Sequence, residues 1–436
     1  MFLRHLKSNP ALALFAAAFF LSPLDLALTL KAAGFTLKAY QGLSLLCAAT
    51  LLWRSLRDGR LERHLAPLRR AFALAALALA FFYLGISPWS AFPAKSFLYS
   101  CWLLFDITAL WLSVQLLFDE APAEFFAQTA FLTLLFTSVV ILIDYAAYPF
   151  GYGGGLVGFN QDAVTHLGVS RPHAFTSEPS YAASFLCLGF LTVAPFRYRH
   201  ARRKALTGAG LAVIMFALVA TTSRSGWAAL AFGLGLLAIL PILGGKRIPW
   251  RTILPFFGAV PVVVAVFLFT MPRTQRENLQ STFVTKVFQG NDSSGNSRLK
   301  ALRLSVDYAW DTHGIGTGLG ASYRYYKDHG GYDSAALEGF NPRQFGNEVI
   351  MSTWGQLLAE GGPVALLLYG LAGFFLVRAL LRAWKKTNST LAYGSLVATI
   401  VFFFFSAFLL GNVCRGDVWV WFGLWSGFAV KAAEPA

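Results

Sequence analysis

The chain has 436 residues, of which 56% are hydrophobic and 13% are charged, and its mean hydropathy is +0.56. Because globular domains carry about 25% charged residues, this composition excludes a soluble protein. The formal net charge of +15 would suit nucleic-acid binding, but most basic residues lie in short segments between apolar runs. The four cysteines have no CxxC spacing and three lie inside apolar runs, so neither a metal site nor a disulfide is predicted.

Twelve apolar segments are long enough, or nearly so, to cross a bilayer core, which needs about 20 helical residues. The predicted fold class is therefore an all-α integral membrane protein with about twelve transmembrane helices. The first segment follows Arg4 and Lys7 as in a signal peptide, but its length and the lack of a convincing cleavage site predict a retained span. The segments lie near 11–30, 40–56, 71–87, 97–118, 127–148, 180–196, 206–221, 226–243, 251–271, 363–384, 391–411 and 417–432.

The basic residues predict how these helices are oriented. Four alternate connections, 54–70, 197–204, 244–251 and 378–386, hold six, five, three and four Lys or Arg residues, whereas the short connections between them hold one or two. Positive charge collects on the cytoplasmic side of membrane proteins. Both termini are therefore predicted to be cytoplasmic, and no nucleic-acid partner is expected.

Two segments on the opposite side are long. The first, 149–179, belongs to the predicted region 1–271 with nine membrane helices, and the second, 272–362, separates that region from three final helices in 363–436. The second segment carries nine basic and nine acidic residues, a balance typical of a folded region rather than a charged tail.

Three elements are predicted inside this large loop. Helical spacing over Ser297 to Trp310 places Leu299, Leu302, Val306 and Ala309 on one face. The run HGIGTGLG at 313–320 lacks the strand and helix that flank a nucleotide-binding glycine motif, so a turn is predicted. Residues 347–360 are predicted to form a helix at the membrane surface, closed by Gly361, Gly362 and Pro363.

Arg171 and Glu178 are the first candidate site residues. They lie seven residues apart, directly before an apolar run. Placing an ionised pair at the end of a membrane helix costs free energy, and such pairs commonly have a function. An arginine suits anion binding and the carboxylate suits general base catalysis, and Pro179 favours a helix start at that point. The alternative is an ion pair or a pair of snorkelling residues that only stabilises the helix end.

Arg224 lies in a tight connection between two spans, Thr221 to Trp227, and is flanked by hydroxyls such as that of Ser223. Arginine beside hydroxyl groups suits phosphate recognition through paired hydrogen bonds. The alternative is interfacial anchoring together with Trp227.

Arg298, with Lys300 and Arg303 nearby, could bring further positive charge over the membrane, although each alone suits a solvated helix face. Arg171, Arg224 and Arg298 come from three connections on one side, an arrangement that suits the diphosphate of a lipid. A transferase outside the cytoplasm has no ATP, and a sugar on a lipid diphosphate is an activated donor. Three single intramembrane carboxylates are instead expected to make buried hydrogen bonds or to bound helix ends: Asp25, Asp106 and Asp144.

At these residues the chain resembles the O-antigen ligase and O-antigen polymerase family of bacterial inner-membrane glycosyltransferases. The similar segments are RPHAFTSEPSYAASFL (171–186), TTSRSGW (221–227), SRLKALRLSVDYAW with HGIGTGLG (297–320), and STWGQLLAEGGPVALLLY (352–369). The resemblance implies metal-independent transfer of a glycan from undecaprenyl diphosphate to an acceptor hydroxyl, without a cofactor. It implies that the three arginines hold the diphosphate and that a base deprotonates the acceptor.

The resemblance also bears on which reaction is catalysed. Ligases of the family carry a His-Asn pair before a Glu-x-Gly element, and the matching positions here are Met351 and Ser352, or Asn347 and Glu348 in a shifted alignment. The absence of histidine favours a polymerase of lipid-linked repeat units, with Glu178 as the base and Asn347 and Ser223 as further substrate contacts.

The expected partners are an undecaprenyl-diphosphate-linked glycan, an acceptor glycan, membrane lipid and a chain-length regulator. The first alternative is a ligase that moves the finished glycan to lipid A core or protein. A transporter or flippase is the alternative of another class, but no inverted repeat or pair of broken spans is found in the sequence. A structural membrane protein would tolerate substitution of Arg171, Glu178 and Arg224.

Overall fold

The computed structural model describes residues 2–24, 28–32, 35–59, 62, 70–161, 170–176, 178–245, 250–283, 293–322, 352–407 and 413–433. Helices dominate this part of the chain, which confirms the predicted α-helical class. The helices are α1 Phe2–Ser8, α2 Pro10–Leu21, α3 Ala39–Arg57, α4 Ala71–Ile86, α5 Pro93–Leu117, α6 Ala123–Ala147, α7 Pro179–His200, α8 Lys204–Ala220, α9 Arg224–Leu243, α10 Trp250–Thr270, α11 Arg273–Phe283, α12 Ser293–Asp311, α13 Thr353–Thr387, α14 Thr390–Val401 and α15 Gly416–Ala433.

Seven of the described helices are long and apolar enough to cross a membrane by length and composition: α4, α5, α6, α7, α9, α10 and α13. The apolar helices α2, α8 and α14 are shorter, so the expected count of twelve spans is not confirmed. The first expected span, 11–30, is the clearest difference, because α2 ends at Leu21 and Thr29 already begins a strand. Hydropathy could not detect this change because both elements are apolar.

Two short antiparallel hairpins interrupt the helical pattern. Strand β1, Thr29–Ala32, pairs with β2, Phe35–Lys38, directly before α3. Strand β3, Phe159–Gln161, pairs with β4, Arg171–Ala174, shortly before α7. The second hairpin carries one of the predicted site residues at its edge.

Helix α7 lies at the centre of the bundle, and 89% of the residues in its most apolar 18-residue stretch are buried. Its middle is joined to α15 by a hydrogen bond from the Trp425 indole to the Thr192 hydroxyl, at 2.9 Å. Nearer its start, the ring of Phe185 lies 5.6 Å from that of Trp421. Because α7 packs on several sides, its first turn is fixed relative to the rest of the bundle.

Helix α15 approaches α5 very closely through Gly423 and Gly427. A Cβ on Gly423 would lie 2.9 Å from the Val114 Cβ and 3.1 Å from the Leu110 carbonyl oxygen, and one on Gly427 would meet the Phe118 ring. Glycines four residues apart allow two membrane helices to approach closely. The contact lies beside a π-helical turn of α5, Asp106–Leu112, whose first residue is a fully buried carboxylate without a hydrogen-bond partner among the described residues.

Helix α13 is kinked at Gly362, where φ is +64° and ψ is −166°, a conformation essentially restricted to glycine. The kink confirms the predicted break at residues 361–363, although the first leg begins at Thr353 and the second continues the same helix to Thr387. The turn 313–320, also confirmed, packs against the kink, since Thr317 N donates to Ala359 O and Gly318 N to Glu360 O, both at 2.9 Å.

The helix predicted over 297–310 is α12, Ser293–Asp311. The face assigned to it is wrong in part, because Val306 is 54% exposed while Leu304, Ser305 and Tyr308 are buried. Val306 shows that an apolar position at helical spacing can lie outside the packed face.

Candidate functional site

Glu178 is the residue directly before α7, with an extended backbone, and Pro179 is the first helical residue. The predicted helix start at this proline is therefore confirmed. The Glu178 carboxylate is half-buried and accepts a hydrogen bond from the Ser180 hydroxyl at 3.0 Å. Its backbone carbonyl accepts the first amide bonds of the helix, from Tyr181 N at 3.1 Å and Ala182 N at 3.2 Å. The carboxylate is thus attached to a rigid helix end.

Arg171 begins strand β4 and lies opposite Gln161. Its backbone amide donates to the Asn160 side-chain oxygen at 2.9 Å, and the Asn160 amide nitrogen donates to the Ser170 hydroxyl at 2.9 Å. Asn160 is buried, so both bonds are protected from water. This asparagine fixes the backbone from which the Arg171 side chain extends.

Asp144, near the end of α6, anchors the loop before the hairpin. Its carboxylate accepts hydrogen bonds from the backbone amides of Leu156, Val157 and Gly158, at 2.8 to 3.3 Å. The expectation of a buried hydrogen-bonding role is confirmed for this residue, while Asp25 lies outside the described residues. Three amides on one carboxylate attach the hairpin loop to a membrane helix.

The connection between α8 and α9 meets this hairpin. Thr222 has a positive φ of 51°, and its hydroxyl lies 3.5 Å from the Ser170 carbonyl oxygen. On the other side, a Cβ on Gly226 would lie 2.5 Å from the Ala183 Cβ in α7. These two contacts join the start of β4 and the first turns of α7 to the connection between α8 and α9, which contains Arg224.

Ser223 and Arg224 have different surroundings in this connection. Ser223 is buried and caps α9, since its hydroxyl accepts a hydrogen bond from Gly226 N at 3.4 Å and lies 3.0 Å from the Ser225 hydroxyl. Arg224 is the first residue of the helix and is exposed. A structural role is therefore evident for Ser223, and its predicted contact with substrate stays a prediction.

The remaining predicted residues are less defined. Arg298 belongs to α12, but its side chain lies outside the described part, and Asn347 lies outside the described residues altogether. Their roles stay predictions. Within the described ranges, no group of three His, Cys, Asp or Glu side chains is arranged to hold a metal ion.

Glu360 is a buried carboxylate whose contacts the sequence did not reveal. It accepts hydrogen bonds from Gly320 N at 2.9 Å, from the Ser322 hydroxyl at 2.7 Å and from the Gln356 amide at 2.9 Å. It therefore joins the end of the glycine-rich turn to α13.

His173 lies in strand β4 and should make the stability of the β3–β4 hairpin depend on pH. Its ring nitrogen Nδ1 contacts the Thr176 carbonyl, and its ring stacks at 6.2 Å on Phe159. Burial lowers the pKa of His173 below its ordinary 6.5, and the charge of Arg171 lowers the pKa further, against the raising effects of the Thr176 carbonyl and Asp144. When the hairpin opens, His173 regains its ordinary pKa and binds a proton at a higher pH than in the folded hairpin. The contribution of His173 to the stability of the folded hairpin is therefore complete above pH 6.5 and decreases as the pH falls toward the lower native pKa.

We expect hydrogen exchange of the segment 171–178, corrected for intrinsic rates, to show less protection at pH 5 than at pH 7.5. A His173→Gln protein, which cannot titrate, should lose this difference. Equal pH dependence in both proteins would assign the effect to another group.

Residues 209–370 match the family model described as O-antigen ligase. The match includes Ser223, Arg224, Arg298 and Glu360, whereas Arg171 and Glu178 precede it. No curated protein matches the chain.

The match and the seven apolar helices that are long enough to cross a membrane together indicate a multi-pass inner-membrane protein. The matched family implies an activity of the glycosyltransferase type on lipid-linked glycans. The match leaves open whether a repeat unit is polymerised or a finished glycan is transferred.

Proposed function

We propose that the protein polymerises undecaprenyl-diphosphate-linked oligosaccharide repeat units at the periplasmic face of the inner membrane. Both termini would then be cytoplasmic. The observation that carries the proposal is the meeting of β4, α7 and α9 through Thr222 with Ser170 and Gly226 with Ala183. It places the segment that contains Arg171 and Glu178 against the connection that contains Arg224.

The charges at this meeting point suit a diphosphate. Arg171 and Arg224 supply positive charge, and guanidinium groups bind phosphate oxygens through paired hydrogen bonds. The N-terminal ends of α7 and α9 lie beside them, and the dipole of a helix favours anions at that end. In the proposed reaction this region binds the leaving group, and Arg298 is the third proposed arginine contact.

The proposed chemistry needs one base and no metal. The acceptor sugar hydroxyl attacks the anomeric carbon of the donor glycan, the bond from that carbon to the phosphate oxygen breaks, and undecaprenyl diphosphate leaves. The hydroxyl proton passes to the Glu178 carboxylate. Positive charge from the arginines stabilises the negative charge that develops on the diphosphate.

Polymerisation is proposed over ligation because none of the positions that match the His-Asn pair of a ligase holds a histidine. Ser352, one of these positions, accepts a hydrogen bond from Gly355 N at 3.3 Å and lies 3.3 Å from the Ala407 carbonyl oxygen. Its hydroxyl is thus a buried helix cap at the start of α13. Asn347 stays a candidate substrate contact.

The test uses a host that lacks its own repeat-unit polymerase and makes the cognate repeat unit. We expect the chain to restore long glycans, read as a ladder on a gel, and Arg171→Ala to reduce polymer by about 10- to 100-fold, the effect of losing charge-assisted hydrogen bonds worth about 1.5–3 kcal/mol each. Arg273→Ala is the control, because it removes an exposed arginine of α11 that pairs with Glu277 at 2.8 Å.

Two further hosts separate the alternatives. In a host that keeps its polymerase but lacks its ligase, polymer that accumulates on undecaprenyl diphosphate only when the chain is absent would identify a ligase. In a host that lacks its flippase, repeat units held on the cytoplasmic leaflet only when the chain is absent would identify a flippase. Both outcomes would contradict polymerisation, and a chain-length regulator would change only the distribution of ladder lengths.

A further inference from the structure

Arg415 and Asp417 form a partly buried ion pair at the start of α15. The guanidinium donates two hydrogen bonds to the carboxylate, from Nε at 3.0 Å and from Nη2 at 2.6 Å, and the two side chains are only 15% and 16% exposed. Two parallel bonds fix the plane of the guanidinium group as well as its position. An arginine held in this way is a rigid surface against which a neighbour can pack.

That neighbour is Tyr181. The guanidinium carbon of Arg415 lies 3.9 Å from the centre of the Tyr181 ring, a close cation–π contact. Tyr181 belongs to the first turn of α7, and its amide donates to the backbone carbonyl of Glu178. Arg415 therefore packs on the same helical turn that begins at the candidate base.

The chain before Arg415 is itself held in place. Val413 N donates to the Gln356 side-chain oxygen at 2.9 Å, and the Val413 carbonyl accepts from the Trp419 indole at 2.8 Å. Gln356 in turn donates to the buried Glu360. The segment 413–417 thus connects the kinked helix α13 and its glycine-rich turn with the first turn of α7.

We propose that Arg415 is a positioning residue that acts through Tyr181 to hold the first turn of α7, and with it the Glu178 carboxylate, in the geometry for proton removal. This role rests on the proposed function, in which Glu178 is the base. Arg415 lies outside the matched family region 209–370 and acts without touching the substrate. Displacement of a catalytic group by about 1 Å can reduce a rate by about 100-fold.

The kinetic test compares four variants with purified protein and a lipid-linked repeat unit. We expect Arg415→Ala and Tyr181→Leu to lower kcat by about 10- to 100-fold with little change in KM. Tyr181→Phe, which keeps the ring, should retain most of the activity, and Arg273→Ala should match the wild type. The double variant Arg415→Ala with Tyr181→Leu should have the same kcat as the less active single variant, because both substitutions remove the same contact.

A second measurement does not depend on transfer activity. A Ser180→Cys reporter, placed in a Cys101→Ser background, lies in the turn itself, and the other native cysteines are buried. We expect Arg415→Ala to raise its alkylation rate by at least about fivefold, since a loosened turn exposes buried groups, while Arg273→Ala leaves the rate unchanged.

The kinetic and alkylation measurements can each overturn the positioning role. An unchanged alkylation rate in Arg415→Ala, in folded protein, would do so, as would a rise in KM with kcat preserved, which would mean that Arg415 binds substrate directly. If the wild type transferred no glycan in any assay, the proposed function would fail, but a raised alkylation rate would still support the contact between Arg415 and the α7 turn.

Discussion

Replacing Glu178 with glutamine should reduce glycan transfer by about 10²- to 10⁴-fold, the usual contribution of a general base. Glutamine has nearly the same shape, and its side-chain oxygen can still accept the Ser180 hydrogen bond seen at 3.0 Å. The change therefore removes the proton acceptor while the start of α7 keeps its structure. The measurement is the initial rate of polymer formation by protein purified at matched folded yield.

Glu277→Gln is the matched control, because Glu277 is a largely exposed carboxylate on α11 with one arginine partner. It should transfer at the wild-type rate. Full activity of Glu178→Gln would exclude this residue as the base and leave the arginines as candidates for binding alone.

The second large effect concerns the kink of α13. Gly362→Ala adds a Cβ that would collide with the carbonyl oxygen of Gly314, in a backbone conformation with φ of +64°. The strained backbone alone costs about 1–3 kcal/mol, and relieving the collision must separate the glycine-rich turn from the helix. We expect lower folded yield and a lower apparent unfolding temperature in detergent.

Gly370→Ala tests whether this effect is specific. Gly370 lies in the same helix, and an added Cβ would meet nothing within 4 Å. Alanine is favoured over glycine in a helix interior by about 0.5–1 kcal/mol, so this variant should be as stable as the wild type or slightly more stable. Equal destabilisation of both proteins would show that α13 does not depend on its kink.

Hydropathy predicted most of the helical positions in the bundle, and its errors have a physical cause. Apolar content does not distinguish a long helix from a short helix followed by a hairpin, which is why the end of α2 at Leu21 was not foreseen. The helix start at Pro179 and the break at Gly362 were predicted because proline and glycine restrict the backbone locally. These backbone restrictions do not depend on which other parts of the chain pack nearby.

The site was predictable only where its residues are close in sequence. Arg171 and Glu178 were found because one short segment contains both, and Arg224 because hydroxyls surround it. Tyr181 and Arg415 are 234 positions apart in the numbering, so only the packing of α15 against α7 reveals their contact. Glu360 was overlooked as a connecting residue for the same reason, since its partners Gly320 and Ser322 lie far before it in the chain.

The two glycines of α15 also bear on how this protein can change during evolution. Gly423 and Gly427 follow the first residue of the helix by about 10 Å and 16 Å along its axis, well away from any charged group of the site. Because they set how closely α15 lies on α5, a larger residue at either position would shift the whole helix, including the Arg415 end. Homologous sequences should therefore vary little at these two positions. A homologue that keeps the reaction would have to keep small residues at this helix contact as well as the arginines that bind the substrate.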